Sequence, residues 1–338
     1  MRAIRIGIDW NRTQSIYASE PFLKSVGDEY GWLGGLDDSE ALRCILPYTI
    51  VRKALLRMVR FRVETIPVGG DLTVDAEKSF LQSAVEYFRS IGADMIIPPT
   101  TNAVFRTYPD GAVAAPYGTH ILDLTQTEEA LFQNLHSKHR NVIRNAAKKG
   151  VQIRNGIQHL ETAHRLVRDT FKRSGLGFMG VDSFRRLVLG LGENIKVFIA
   201  EYQGIVQGCA VVPFSSHSAY YVYGGTAFDP VTGATNFLQW EAIRFFRNLG
   251  VQRYDFCGTR IDPDKGSKQA GLEMYKERFG PQLFQGYMWK CPLRPLKSAA
   301  YSLAVRWLRG GDIVDKEQHK LSGYQPGITR LKENVTLA

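Results

Sequence analysis

The chain has 338 residues, 44% of them hydrophobic and 22% charged, which is enough for two cores and excludes a disordered protein. Its formal net charge of +10 favours an anionic partner: nucleic acid, a phosphorylated substrate or a membrane surface. Cys44, Cys209, Cys257 and Cys291 have neither metal-ligand spacing nor a C-x-x-C pair, so they read as reduced, buried thiols rather than metal ligands or disulfides.

In chain order, the first ten residues lack the apolar core of a signal peptide. No run approaches the roughly 20 apolar residues of a membrane helix, so a cytoplasmic protein is expected. The first half predicts a strand at 4–9, a helix at 19–30 and strands near 42–50 and 60–67. A helix at 76–90 and strands at 94–98 and 119–124 complete it. A long helix from Glu128 to Lys149, stopped by Gly150, then links the halves. Leu131, Leu135, Val142 and Ala146 form its apolar line, and Arg140, Arg144 and Lys148 a basic ridge on the other side. That ridge is equally a solvated face or a row of phosphate contacts.

The second half predicts a strand at 151–154, helices at 158–172 and 182–190, and strands at 196–202, 205–214 and 218–224. Gln203 and Gly204 suit a hairpin turn. A helix, a strand at 251–257, a helix at 270–279 and a strand at 282–289 follow. Leu296 to Arg309 reads as an amphipathic helix with Leu296, Ala300, Leu303 and Trp307 on one side, expected to pack back on the body ahead of a loose tail. Lys297, Arg306 and Arg309 supply a second reading for it, contact with a membrane surface.

The halves echo each other. Phe80, Leu81 and Gln82 run into Phe88, Arg89 and Gly92, then an apolar strand. Phe237, Leu238 and Gln239 run into Phe246, Arg247 and Gly250, then another. The mixed α/β order around each copy fits the N-acetyltransferase superfold (GNAT), present twice in tandem. The expected divisions are 1–124, a linking helix at 125–150, a second domain at 151–291 and a carboxyl-terminal helix and tail at 292–338. Gly175, Gly177 and Gly180 satisfy G-x-G-x-x-G, but the match follows a helix rather than a strand, so it reads as a helix stop. His136 and His139 have no carboxylate or cysteine at ligand spacing and read as surface residues; no metal is expected. G-x-S-x-G, H-E-x-x-H and P-loop signatures are absent from the sequence.

Three stretches together resemble the Fem family of peptidyltransferases, which use aminoacyl-tRNA to extend peptidoglycan precursors and belong to the GNAT superfamily. They are Lys138 to Val151 with its arginines and lysines; Tyr220, Tyr221, Tyr223, Gly224 and Gly225 with the helix bearing Trp240; and Tyr254, Asp255, Phe256 and Gly258 with Tyr275, Lys276, Phe279 and Gly280. The resemblance spans the linking helix and second half and is weak in the first. It implies aminolysis of an activated acyl group, a step that needs alignment, a deprotonated amine and positive charge at the oxyanion.

From spacing alone Lys276 is an exposed helix lysine; the resemblance makes it the catalytic charge, with Tyr275 shaping the pocket beside it. Asp255 ends a strand next to Gly258, where it either accepts the amine proton or makes a structural hydrogen bond. Tyr221 and Tyr223 share a strand face, as pocket lining or as core and surface aromatics. Asn236, Trp240 and Gly258 join them as substrate-binding candidates, and Arg140 and Arg144 as phosphate contacts. The superfamily's coenzyme A loop corresponds to Asp229–Asn236, which lacks the basic residue and the second spaced glycine. Aminoacyl-tRNA is therefore the expected donor, with no tightly bound cofactor and a nucleotide- or lipid-linked envelope precursor as acceptor. The alternatives are an acyl-CoA-dependent N-acyltransferase on an amino sugar of exopolysaccharide synthesis, and a non-catalytic RNA-binding protein.

Overall fold

A computed structural model describes residues 1–326. In the first half β1 (Arg2–Ile6), α1 (Glu20–Val26), β2 (Glu29–Leu36), β3 (Leu42–Lys53), β4 (Leu56–Phe61), β5 (Ile66–Pro67), α2 (Val74–Ser90), β6 (Met95–Ile96) and β7 (Val113–Asp123) follow one another. Next come α3 (Glu128–Asn134) and α4 (Ser137–Lys148). The second half holds β8 (Gln152–Asn155), α5 (Leu160–Lys172), α6 (Val181–Leu191), β9 (Ile195–Tyr202), β10 (Ile205–Pro213), β11 (Ala219–Tyr220) and β12 (Tyr223–Thr226). After these run α7 (Ala234–Asn248), β13 (Arg253–Asp255), β14 (Thr259–Arg260), α8 (Lys268–Glu277), β15 (Gln282–Pro292), α9 (Pro295–Arg309) and α10 (Ile313–Glu317).

The repeat is visible as α2 and α7. Phe80, Leu81 and Phe88 on α2 and Leu238 and Phe246 on α7 are all buried, and each helix is closed by a left-handed glycine, Gly92 at φ +75° and Gly250 at φ +76°. Each helix leads into a short strand, β6 or β13.

The two halves share one sheet, in the order β1-β2-β3-β4-β6-β15-β7-β13-β11. Strand β7, from the first half of the chain, lies between β15 and β13 of the second. It pairs antiparallel with β15 from Val113 opposite Lys290 to Ile121 opposite Gln282. The far end of β15 turns to the other half, with Cys291 opposite Ile96 and Pro292 opposite Met95. A four-stranded sheet, β12-β10-β9-β8, carries the rest of the second half. Pro116 stands inside β7, where proline is usually excluded. Its partner Tyr287 turns both its N–H and its C=O to Phe105, so no ladder bond is lost there.

Three cores result. Phe61, Phe80, Phe88 and Phe105 enclose Trp289, a β15 residue, in the first half. Leu131, Ile143, Trp240, Phe246, Tyr254 and Phe279 make the second. The third joins the halves, with Ile16, Tyr17, Phe22 and Val63 against Leu160, Val167, Phe184, Val211 and Tyr220.

Four expectations change. The helix expected at 19–30 ends at Val26, and residues 29–36 form β2, whose Trp32 and Leu33 alternate against β1 and β3. The linking helix is two helices. Leu135 is extended at the break, and His136 caps α4 by accepting the Lys138 N–H while its own N–H donates to Arg278 O. The strand expected at 218–224 divides, because Tyr221 N–H bonds to Asp255 O while Val222 N–H bonds to Val211 O. Finally, α9 leaves Leu296, Leu303 and Trp307 exposed rather than packed on the body. The part of the expected tail at 327–338 lies outside the described residues. Gln203 and Gly204 form the expected hairpin turn, both with positive φ, and Gly175 (φ +68°) ends the turn after α5.

Because Trp289 fills the core of the half to which it does not belong in sequence, the halves are expected to melt as one unit. Calorimetry of Trp289→Ala should show a single transition shifted down, a loss of about 3–5 kcal/mol. Two resolved transitions, one unmoved, would show independent halves.

Candidate active site

The site begins where two parallel strands part. Strand β13 pairs with β11 only at Tyr254 opposite Ala219 and Asp255 opposite Tyr220. Beyond that point β12 follows β10, whereas Phe256 N–H bonds to His120 O and β14 pairs with β7. A wedge opens between them. It is lined by Tyr220 and Tyr223 on one side and Asp255, Cys257 and Gly258 on the other. The first half supplies Tyr17, which packs against Tyr220, and brings the charges of Arg62 and Glu64 near Tyr223, Tyr220 and Asp255. Tyr17 and Tyr220 pack edge to face, and Ser15 Oγ lies 2.8 Å from Tyr220 Oη.

Two successive left-handed residues, Cys257 at φ +52° and Gly258 at φ +44°, turn their carbonyls to the same side. Lys276 Nζ on α8 donates to both, at 2.5 Å to Cys257 O and 2.6 Å to Gly258 O. Position 258 must be glycine: a Cβ there would collide with the Tyr117 hydroxyl and stand 2.8 Å from Thr101 Cβ. Burial lowers the Lys276 pKa, opposed by nearby Glu273, Cys257 and Asp255.

Asp255 is buried. Its Oδ1 accepts from Thr119 Oγ1 and, at 2.7 Å, from the Cys257 N–H. Burial raises its carboxyl to about 6 against those hydrogen bonds and the charge of Lys276. Glu64 is raised further, to about 7, again by burial first; its own backbone N–H opposes, and the Asp255 charge adds. Behind Lys276, Glu273 Oε2 lies 3.1 Å from His120 Nε2 and accepts from Thr259 Oγ1. Thr119 and His120 are β7 residues, so the first half of the chain orients both carboxylates. Glu64, Thr119, His120 and Glu273 carry no motif; only Glu273, one helical turn from Lys276, had a local signal.

Of the residues named from sequence, Asp255, Gly258, Lys276 and Tyr223 meet at the wedge. The others gather behind it, where α3, α4, α7 and α8 converge. Trp240 is buried edge-on to Phe132. Tyr275 packs on His139 and Phe279, its hydroxyl 3.4 Å from Thr235 O. Asn236 Nδ2 lies 3.2 Å from His139 Nε2. His139 is therefore interior, not a surface residue, and burial drives its pKa down to about 4. Tyr221 and Tyr223 do not share a strand face: the chain changes partner between them, and Tyr221 packs against the second core while Tyr223 packs with Phe178 and Phe184 of the third. Arg140 closes the end of α3, with Nη1 donating to Gln133 O at 2.7 Å and to Leu135 O. Arg144 stands over the Phe132 ring, 5.1 Å from its centroid.

Residues 137–277, from the first residue of α4 to the last of α8, match the family model described as the acetyltransferase (GNAT) domain. A lipid II:glycine glycyltransferase of Staphylococcus epidermidis is 35% identical over 85 residues, 25% of this chain and 20% of that protein. The matched segment thus spans about a fifth of the curated relative's length. Among solved structures, that of FemX superposes with a TM-score of 0.66 at 14% identity, covering 88% of this chain and 99% of the other. A tandem GNAT protein from the clavulanic acid biosynthesis pathway gives 0.50 at 10% identity, covering 81% and 86%. These likenesses show the fold: tandem GNAT-like units of the kind FemX has.

The raised carboxyls set a pH dependence of stability. Glu64 holds its proton more tightly folded than unfolded, so stability falls as pH rises from about 4.5 to 7, by about 1–3 kcal/mol. Asp255 adds the same sign between about 4 and 6. Urea midpoints measured at about pH 5 and pH 8 should differ less for Glu64→Gln than for the parent chain; an equal difference would remove Glu64 from the account.

Proposed function

From a chain that is Fem-like and carries a GNAT domain, we propose an acyltransferase that moves an aminoacyl or acyl group onto an amine of a cell-envelope precursor, of peptidoglycan or polysaccharide, with aminoacyl-tRNA as donor. The observation that carries the reading is the Lys276 ammonium, fixed by two backbone carbonyls beside a buried carboxylate at the mouth of a splayed sheet. Among the described residues two of its three N–H groups are used, which leaves one to meet an oxyanion in this reading.

In this reading the acceptor amine attacks the donor's ester carbonyl. A C–N bond forms, charge moves to the carbonyl oxygen, and Lys276 stabilises it. The C–O bond to the donor's ribose then breaks, and the alcohol leaves with a proton. Asp255, ionised above about pH 6, receives the proton that the amine loses, and that proton passes on to the leaving oxygen. No protein nucleophile is required.

The donor preference rests on the first turn of α7, where coenzyme A phosphates would meet helix N–H groups. Helix α4 crosses that point: a Cβ on Gly233 would collide with the Val142 carbonyl. The turn is covered, which supports tRNA over coenzyme A. In the first half the equivalent helix begins with Asp75 and Glu77, and Glu77 is buried against Arg106 Nε at 2.7 Å. The acceptor in this reading is lipid-linked, as the name of the staphylococcal relative suggests, so the protein works at the inner membrane surface. No helix among the described residues is long and apolar enough to cross a membrane.

With glycyl-tRNA and lipid II as probes, Lys276→Met should lower kcat about 10²–10³-fold with tRNA affinity retained. Unchanged turnover would exclude Lys276 from the reaction. Transfer by the parent chain should rise with pH through about 6 and lose that limb in Asp255→Asn. Turnover with acetyl-CoA but not with charged tRNA would replace the donor.

A further inference from the structure

Helix α9 has two apolar sides, only one of them packed. The inner side docks by Ser298, buried with Oγ donating to Asp94 O, and by Tyr301 against Met58, Met95 and Ile97. Lys297 and Arg294 pair with Asp94 at the first turn. The outer side carries Leu296 at 88% exposure, Leu303 at 71%, Trp307 at 85% and Leu308 at 68%. Residues 296, 300, 303 and 307 recur at helical spacing, so they form one stripe, with Ala299 and Ala304 beside it.

The stripe continues onto another element. Leu55, also 88% exposed, tips the hairpin between β3 and β4, and Lys297 Nζ lies 3.4 Å from its carbonyl. The tip therefore stands beside the first turn of α9. Cations outnumber carboxylates around this surface: Arg52 and Arg57 share Glu29, Lys297 and Arg294 share the buried Asp94, and Arg306 lies 3.7 Å from Asp315, while Lys53 and Arg309 enter no ion pair among the described residues. Helix α9 contains Lys297, Arg306 and Arg309 and no carboxylate; the hairpin from Arg52 to Arg57 contains Arg52, Lys53 and Arg57 and none either. A contiguous apolar face of this kind, with an excess of cations at its rim and an exposed tryptophan, matches an anionic lipid interface.

We propose that the outer face of α9, with the Leu55 hairpin tip, lies in the headgroup layer of an anionic bilayer. Leucines and Trp307 enter the acyl boundary while Lys53 and Arg309 meet lipid phosphates. The inner face of the same helix packs on Met58, Met95 and Ile97 of the first half through Tyr301. Docking by this face holds the first half of the chain against the membrane plane. The purpose of the face rests on the lipid-linked acceptor, but its test does not.

The full chain is sedimented with phosphatidylcholine vesicles containing about a third phosphatidylglycerol, and with phosphatidylcholine alone. Binding is expected to the anionic vesicles and to weaken at about 0.5 M salt. The double variant Leu303→Glu and Trp307→Glu should lower the partition coefficient at least about tenfold. Leu189→Glu, which changes a 55% exposed leucine on α6, should leave it unchanged. A parent chain that ignores anionic vesicles, or a double variant that binds them as well, overturns the proposal. So does a dimer of the parent that the double variant dissolves, which would assign the stripe to a second copy. Transfer is read separately on a water-soluble amine acceptor. Lost vesicle binding with intact transfer is the expected result for the double variant, and absent transfer with intact vesicle binding would leave this face standing while removing the acyltransferase reading.

Discussion

The antiparallel pairing of β7 with β15 is the constraint on which the remainder of this molecule depends. It runs from Val113–Lys290 to Ile121–Gln282 and joins segments far apart in the chain. Closing so long a loop is entropically expensive, and the ladder is held by burial on both faces, Trp289 on one and Tyr117 with Met288 on the other. Through that ladder β7 enters the second half carrying Thr119 and His120, the residues that hold Asp255 and Glu273. The first half thereby becomes part of the site even though its own α2 terminus is acidic. The two GNAT-like units thus share one ladder, and side chains of the first reach into the second.

The second organising fact is the parting of β11 and β13. A sheet that splits must leave backbone groups without ladder partners, and these are expensive to bury unless they find others. Here the freed carbonyls of Cys257 and Gly258 find Lys276. The cation is in turn held in a half-buried position by those carbonyls and by the nearby charges of Glu273 and Asp255. Each group solves the other's desolvation problem. The left-handed pair at 257 and 258 is the backbone cost of that arrangement, and the absence of a side chain at 258 keeps it within reach.

Electrostatics divide the molecule into an interior and an exterior use of charge. Inside, Arg62 is buried with neutral partners, Thr49 Oγ1 and Val26 O, and Glu64 and Asp255 are pushed toward neutrality. Outside, cations outnumber carboxylates around an apolar stripe on α9. Asp94, at the inner edge of that helix, takes Lys297, Arg294 and the Arg57 N–H at once, so the helix is anchored by one buried carboxylate. That anchor is why the hydrophobic side could be left outward.

The element order, the doubled helix with its closing glycine and the strand–glycine–helix segment ending in Lys276 were all legible from the chain. These are local patterns: apolar spacing, a residue tolerant of positive φ, a cation at a fixed distance from a strand end. Asp255 and Gly258 are close in the chain, but spacing alone left Lys276 an exposed helix lysine, and only the family resemblance joined it to them. What only tertiary structure decided is long-range. Pro116 and Gly118 hid the first part of β7, because tolerance for proline there came from Tyr287 pairing elsewhere. Tyr221 and Tyr223 parted because two strands competed for one segment. Glu64, Thr119 and His120 became site residues through a ladder formed across the chain, and Leu296, Leu303 and Trp307 turned outward because Asp94 held the opposite face. Periodicity specifies that a face is apolar; which surface, protein or other, that face meets is set by contacts between residues with no sequence proximity.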